Sequence, residues 1–250
     1  MPLHPHSPFN VENKNSKLWR YMSFSKFIAL LENQSLFFAR SDKLSDPCEG
    51  SYPKLSVAEL KKYILDPKAA NPTTKQAEAT RETLRYTMMI SCWNKREVDS
   101  YLMWKAYTDS IESICIQTNV DTLFKCLDAQ QNYHVLVSDI TYIDYESEEI
   151  PHGNILSPFV YKRHYFREET ELRAMIWLPG DEWRYIENAL PPDSFPVGLE
   201  VPVMASTLIQ SIYLHPEAPS WHRELVKKIA QKYSLTCAIE KSDIQARPIF

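Results

Sequence analysis

Apolar residues follow strand and helix spacing through the middle of the chain, from Met88 to Thr118. The stretch opens with an apolar run that ends at Trp93, and this run predicts a strand. A charged loop follows, and the aromatic segment at 101–108 then has helical spacing. Next, Ile114 and Ile116 alternate with polar residues, which predicts a second strand. Two strands joined by a short helix are a plausible wall for a pocket.

The same analysis along the whole chain gives short strands separated by short helices. Strands are predicted to begin near Lys17, Ser35, Met88, Ser113, Tyr133, Glu171 and Ile209. Because these strands alternate with short helices and do not follow the regular βαβ order of a parallel sheet, they predict a single α+β domain with a mostly antiparallel, twisted sheet. The domain is expected to span residues 17–250, after a flexible tail at residues 1–16.

The helices predicted from apolar spacing include those of the following two segments. The segment from Val57 to Tyr86 is interrupted by Pro67 and Pro72, so we expect two helices that form an excursion from the main core. The aromatic residues between Pro158 and Glu169 also recur at helical spacing.

The strand predicted after Glu169 contains a pair of oppositely charged residues. From Glu171 to Trp177 the residues alternate as in a strand, so Glu171 and Arg173 share one face. A carboxylate and a guanidinium are therefore predicted to project together from a sheet. An acid beside an arginine in a strand otherwise rich in apolar residues is poorly explained by packing, although structural ion pairs occupy such places too.

Composition narrows the class of partner. The formal net charge is −4 and the chain has no lysine or arginine block, so it lacks the basic footprint expected for nucleic acid. With only 4 glycines, it also lacks the glycine-rich phosphate loops of the common nucleotide folds.

The start of the chain does not resemble a signal peptide, and no apolar run approaches the roughly 20 residues that span a membrane. These features predict a cytoplasmic protein without a membrane segment.

Cysteine and histidine usage gives little sign of a metal. The 5 cysteines are widely spaced and form no Cys-x-x-Cys pair, so reduced thiols are expected. The 7 histidines are scattered, and none forms the i, i+4 pair that places two imidazoles on one helix face. A structural zinc site is therefore not predicted.

A series of short motifs, taken in order, resembles a known family. The motifs are Arg20-Tyr21, Leu36 to Asp42, Asp46-Pro47-Cys48-Glu49-Gly50, Ser100 to Tyr107, Phe166 to Arg173 and Ile212 to Pro216. Their joint order is similar to that of the bacterial domain-of-unknown-function family numbered 2971, over roughly residues 18–248. The chain departs from the family pattern at Cys48, where an aromatic residue is expected. The resemblance implies no particular chemistry, because the activity of the family is unassigned.

A weaker analogy suggests a reaction. An arginine on a first strand, a serine-containing second segment and a glutamate on a later strand are similar in order to ADP-ribosyltransferases, which split NAD. By this analogy Arg20 would hold phosphate and ribose, Ser41 would lie beside it, and Glu171 would stabilise the oxocarbenium-like centre. NAD is the ligand that this analogy implies.

The candidate site is predicted to be one pocket for an anionic, nucleotide-like ligand. Glu171 is the candidate catalytic residue, and the candidate ligand-binding residues are Arg20, Tyr21, Arg40, Ser41, Asp46, Glu49, Trp104 and Arg173. Two other classes of function stay open. One is a metal-dependent nuclease or hydrolase that uses Asp46, Glu49 and Glu171, and the other is a non-catalytic ligand-binding module of a stress or phage-defence system. The oligomeric state is not predicted.

Overall fold

The computed structural model describes residues 11–64, 74–128, 133–151, 154–178 and 191–244. Most of the N-terminal tail and the linker between the two predicted helices near residue 70 lie outside these ranges. The described chain forms two compact units. The first unit contains Phe38–Ser91 and Tyr133–Leu199, and the second contains Glu12–Phe37, Cys92–Asn132 and Glu200–Phe250. The prediction of one domain that begins at residue 17 stays a prediction.

The elements alternate along the chain as strands and short helices. In order they are β1 (Lys17–Met22), α1 (Phe24–Asn33), β2 (Ser35–Arg40), α2 (Lys54–Ile64), α3 (Thr74–Thr87), β3 (Met88–Lys95), α4 (Tyr101–Tyr107), β4 (Ile114–Asn119), α5 (Val120–Asp128), β5 (Val135–Asp139), β6 (Thr141–Ile143), β7 (Tyr161–Arg163), β8 (Glu171–Trp177), β9 (Gly198–Pro202), α6 (Ala205–Leu208), β10 (Ser211–Leu214), α7 (Ser220–Lys232) and β11 (Ala238–Lys241). Short 3₁₀ turns occur at Ser41–Lys43, Ser157–Phe159, His164–Glu169 and Pro192–Ser194.

Most strand pairs in both units are antiparallel. In the first unit β5 pairs with β8, and the end of β2 pairs with the start of β3. In the second unit β4 lies between β1 and β10 and is antiparallel to both. Two pairs, β6 with β7 and β10 with β11, are parallel. The predicted α+β class with a mostly antiparallel sheet is therefore confirmed, as are two separate helices, α2 and α3, near residues 57–86.

Local sequence explains where the helices begin. Ser23 caps α1 by accepting a hydrogen bond from the Lys26 N–H at 3.4 Å. The helix ends at Gln34, whose backbone is left-handed with φ of 47°. Ser100 caps α4 in the same way through the Met103 N–H.

The prediction of a helix between Pro158 and Glu169 is wrong. The segment contains two 3₁₀ turns and the short strand β7, whose Tyr161 is the register partner of Thr141 in β6. The strand conformation turns Lys162 inward, where it is 6% exposed, while its neighbours on either side are partly exposed. Aromatic residues at both ends of the segment produced the helical spacing, and pairing with β6 overrides it.

One strand is shorter than its alternation indicates. The strand predicted to begin near Tyr133 is divided into β5 and β6 at Ile140, whose N–H donates to the Glu171 carbonyl at 2.9 Å.

The five cysteines are free thiols.

Gly50 allows the tight turn that precedes α2. Its φ is +67°, and a Cβ at this position would lie 2.9 Å from Phe159 Cζ and closer still to Cε1 of the same ring. We expect Gly50→Ala to lower the free energy of unfolding by about 2–4 kcal/mol, because it combines left-handed strain with overpacking. Chemical denaturation measures this effect. Gly198→Ala in β9 is the control, and an equal loss in both variants would contradict the steric explanation.

A buried histidine makes the second unit sensitive to acid. His222 on α7 is 0% exposed, and its ring meets Phe24 edge-on with centroids 5.0 Å apart. Burial lowers the pKa of His222 below its ordinary 6.5, against a smaller opposing effect of Glu112. As the pH falls below about 6.5, the unfolded chain therefore binds a proton on this imidazole before the folded chain does.

We expect the free energy of unfolding to decrease as the pH is lowered through this range, and to decrease less steeply in His222→Phe. Denaturation at a series of pH values measures the slope. The exposed His134 provides the control variant His134→Phe. An unchanged acid slope in His222→Phe would show that another group causes the loss.

Candidate functional site

The turn from Asp46 to Gly50 directs an acid into the first unit. Asp46 Oδ1 accepts the Cys48 N–H at 2.9 Å, and the Asp46 carbonyl accepts the Glu49 N–H at 3.0 Å. These two bonds are typical of an aspartate that begins a turn. Gly50 then takes the left-handed conformation that closes it. As a result Glu49 lies inside the unit and is 3% exposed.

Arg173 on β8 is the partner of Glu49. Its guanidinium is 0% exposed and binds both Glu49 oxygens, with Nη2 2.8 Å from Oε2 and Nη1 in a shorter bond to Oε1. Nη1 also donates to the Phe159 carbonyl at 2.9 Å. The bond pattern is the two-pronged one that an arginine and a carboxylate form best.

Glu171 lies on the same face of β8, as strand alternation predicts. Its Oε1 accepts Arg173 Nε at 2.7 Å, and its Oε2 accepts Arg173 Nη2 at 3.1 Å. Lys162 Nζ from β7 lies 3.1 Å from the same Oε2 and also binds Glu169. The Lys162 ammonium lies 4.8 Å from the centroid of the Phe166 ring. We call Glu49, Lys162, Glu169, Glu171 and Arg173 the charge cluster.

The charge cluster holds three carboxylates against two cations. Burial raises the pKa of Glu49, the nearby Glu171 carboxylate raises it further, and Arg173 and Lys162 oppose both effects. An excess of acid in a buried site is tolerated when each oxygen has a charged donor, as those of Glu171 do here. The Glu171 carboxylate is therefore positioned by Arg173 and Lys162.

Two tyrosines and a second ion pair border the charge cluster. Tyr142 accepts the Glu171 N–H on its hydroxyl oxygen at 2.8 Å, and burial raises the pKa of this phenol. Tyr145 donates to the Tyr161 carbonyl at 3.2 Å. Asp46 binds Arg163 Nη2 at 2.6 Å, and this hydrogen bond raises the pKa of Arg163. The turn is thus attached to β7 as well as to β8.

Arg40 and Ser41 make a different set of contacts in the first unit. Arg40 is 1% exposed, pairs with Asp42 through Nε at 2.6 Å, and donates Nη1 to the Pro192 and Phe195 carbonyls at 2.8 and 2.9 Å. Ser41 donates to the Arg85 carbonyl at 2.8 Å. These bonds attach the segment near residue 192 and the end of α3 to β2.

Three predicted residues belong to the second unit. Arg20 donates Nη2 to the Phe37 carbonyl at 2.9 Å, and its guanidinium carbon lies 5.5 Å from the Trp93 ring centroid. Tyr21 accepts the Ser100 N–H at 2.7 Å and meets Trp104 edge-on at 5.0 Å. Trp104 is 1% exposed and donates to Asp99 at 2.9 Å.

The structure thus brings Glu49, Glu171 and Arg173 into direct contact and places Asp46 in the adjoining turn. The gathering of all the predicted residues in one pocket, with Arg20 and Trp104 included, stays a prediction. Sequence analysis did not select Lys162, Glu169 or Arg163 as site residues. Glu169 ends the 3₁₀ turn before β8 and is followed by Thr170 with φ of 39°, so strand alternation did not indicate it. Lys162 was hidden within a segment with helical spacing.

No protein-family model and no curated protein matches this chain. Within the described ranges, no three or more His, Cys, Asp or Glu side chains are grouped so that they could hold a metal ion. No helix among the described residues is long and apolar enough to cross a membrane.

Removing Arg173 tests how strongly the charge cluster depends on it. We expect Arg173→Met to lower the free energy of unfolding by about 3–5 kcal/mol, because Glu49 and Glu171 stay buried without their main cation. Arg167→Met, which removes an arginine whose side chain is 72% exposed, should cost less than about 0.5 kcal/mol. Urea denaturation measures both variants.

The double variant Glu49→Gln and Arg173→Met completes a mutant cycle with the two single variants. We expect it to be less destabilised than the sum of the singles, since each single variant already removes the shared ion pair. Additive losses would show that the two side chains are not energetically coupled.

Proposed function

We propose that this protein binds a small anionic, nucleotide-like ligand and that Arg20 recognises the phosphate or carboxylate of that ligand. The observation that carries the proposal is the setting of the Arg20 guanidinium. Arg20 is a partly exposed residue, and its guanidinium donates to the Phe37 carbonyl and lies over the Trp93 ring. A guanidinium is a planar group whose N–H donors match the oxygens of a phosphate or carboxylate.

The electrostatic setting of Arg20 supports recognition of an anion. Burial lowers the pKa of Arg20, while Cys92 and Glu200 oppose that shift. An arginine remains protonated at neutral pH, so the charge persists in a site of reduced hydration. Charge-assisted hydrogen bonds are stronger where water is partly removed. Arg20 is therefore suited to an anion that is bound by a few specific bonds.

The catalytic extension is a separate candidate function, an NAD-cleaving or ADP-ribosyl-transferring reaction of the first unit with Glu171 as the acidic group. Its support is that the Glu171 carboxylate is positioned by Arg173 and Lys162, and a carboxylate is the kind of group that stabilises an oxocarbenium-like centre. Both Glu171 oxygens accept hydrogen bonds from these cations, so contact with a substrate requires one of those bonds to open. Membership of family 2971 belongs to the same proposal and adds no reaction to it.

Calorimetric titration with NAD, ADP-ribose and AMP tests ligand binding, with and without a divalent ion and a chelator. We expect at least one nucleotide to bind without metal, and Arg20→Ala to weaken its binding about tenfold to a hundredfold, which corresponds to roughly 1.5–3 kcal/mol. Arg223→Ala, which removes an exposed arginine of the second unit, should bind as the wild type does.

Several outcomes would contradict the proposal. Binding that needs a divalent ion would favour the metal-dependent alternative, and equal binding by wild type and Arg20→Ala would remove Arg20 from the site. Chromatographic detection of nicotinamide release separates the catalytic extension from binding. Folded Glu171→Gln protein that binds NAD and still releases nicotinamide at the wild-type rate would end the catalytic role of Glu171.

A further inference from the structure

Two arginines of the first unit lie one helical turn apart on α3. Arg81 and Arg85 stand at positions i and i+4, so their side chains project from the same face of the helix. Both residues are partly exposed, while Leu84 and Thr87 of the same helix are buried. The two guanidinium groups are therefore placed between the interior of the unit and water.

The segment before α2 contacts both guanidinium groups. The guanidinium carbon of Arg81 lies 5.3 Å from the centroid of the Tyr52 ring. Arg85 Nη2 donates to the Pro47 carbonyl at 3.4 Å, and the Arg85 carbonyl accepts the Ser41 hydroxyl at 2.8 Å. Side chains that already have contacts of this kind lose less conformational entropy when they bind a ligand.

The positive charge of Arg81 and Arg85 has no acidic partner nearby. Among the described residues, no carboxylate forms a salt bridge with either arginine, whereas Arg40, Arg163 and Arg173 of the same unit each bind one. Like charges one turn apart on a helix repel each other. An anion bound between the two guanidinium groups would replace this repulsion with attraction to both.

The Nε–H groups of the pair are a second sign of a ligand. Within the described part of the chain, the Nε atoms of Arg81 and Arg85 are buried and have no hydrogen-bond partner. Buried donors in proteins are nearly always paired, and an exception calls for a specific explanation such as a bound ion. A guanidinium can offer Nε–H and one Nη–H as parallel donors to two oxygens of a single anion.

We propose that Arg81 and Arg85 form a binding site for the phosphate group of a small phosphate monoester. Such a group is close to a dianion at neutral pH, so two cations match its charge. Its three terminal oxygens can accept from two guanidinium groups at once, which a carboxylate with two oxygens does less well. The site shares no residue with the one proposed around Arg20 and does not depend on it.

Calorimetric titration of the full chain with inorganic phosphate and with glycerol phosphate tests the site. The titration is made with wild type and with Arg20→Ala, so that binding at Arg20 is distinguished from binding at α3. We expect both proteins to bind, and Arg81→Gln and Arg85→Gln each to weaken binding about tenfold or more, because each removes one charged pair of donors. Arg167→Gln, at an exposed arginine of the same unit, should bind as the wild type does.

Circular dichroism verifies that the glutamine variants are folded, as we expect for arginines without a salt bridge to a described acid. Wild type that binds neither phosphate overturns the proposal, as does unchanged affinity in both glutamine variants. An equal loss in Arg167→Gln shows that diffuse charge holds the phosphate, and loss of all binding in Arg20→Ala assigns the phosphate to that residue. Either result overturns the site at α3. Acetate should bind more weakly than phosphate, and tighter binding of acetate would overturn the choice of ligand.

Lysine variants test whether the paired donors matter beyond their charge. Arg81→Lys and Arg85→Lys keep a cation at each position but replace the planar fork with a compact ammonium. We expect each to bind glycerol phosphate more weakly than the wild type and more tightly than the matching glutamine variant. Lysine variants that bind as tightly as the wild type would overturn the role given to the Nε–H groups.

Discussion

The two-pronged bond between Glu49 and Arg173 is the interaction on which the first unit depends. Both side chains are removed from water, and each must therefore find complete hydrogen bonding inside the protein. Arg173 does so through Glu49, Glu171 and the Phe159 carbonyl, which together accept from all three of its nitrogens. A turn, a 3₁₀ segment and strand β8 are consequently fixed with respect to one guanidinium.

The need of buried charges for complete hydrogen bonding explains which residues surround Glu49 and Arg173. Glu171 binds both cations of the charge cluster, and Lys162 shares its ammonium between Glu169 and Glu171. Side chains with this many ionic contacts are suited to holding neighbouring segments of the chain in place. A catalytic use of Glu171 would have to exchange one of those bonds for a contact with the substrate. Arg20 is different, because it is partly exposed and lies over an aromatic ring, and for that reason it carries the proposal of ligand binding.

The spacing of apolar residues correctly predicted the α+β class of this fold. Strand alternation also predicted that Glu171 and Arg173 share a face. Period-two alternation fixes side-chain direction within one strand without knowledge of the rest of the chain. The same reasoning did not identify Glu49 as the partner of Arg173, because that bond joins residues 124 positions apart. Likewise, Arg40 binds backbone carbonyls, which any residue could supply, so no sequence pattern could indicate them. The short strand β7 was missed because its pairing with β6 outweighs an aromatic spacing that favours a helix.

The separation of 124 positions between Glu49 and Arg173 also has a kinetic meaning. The two longest stretches of the first unit, Phe38–Ser91 and Tyr133–Leu199, are separated by residues 92–132 of the second unit. Contacts between distant residues form slowly, because the intervening chain must first be closed into a loop. During synthesis Glu49 emerges long before Arg173, so their ion pair cannot form until β8 has been made. We therefore expect closure of the first unit to be a late step, in which Glu49 and Arg173 lose their hydration as they pair.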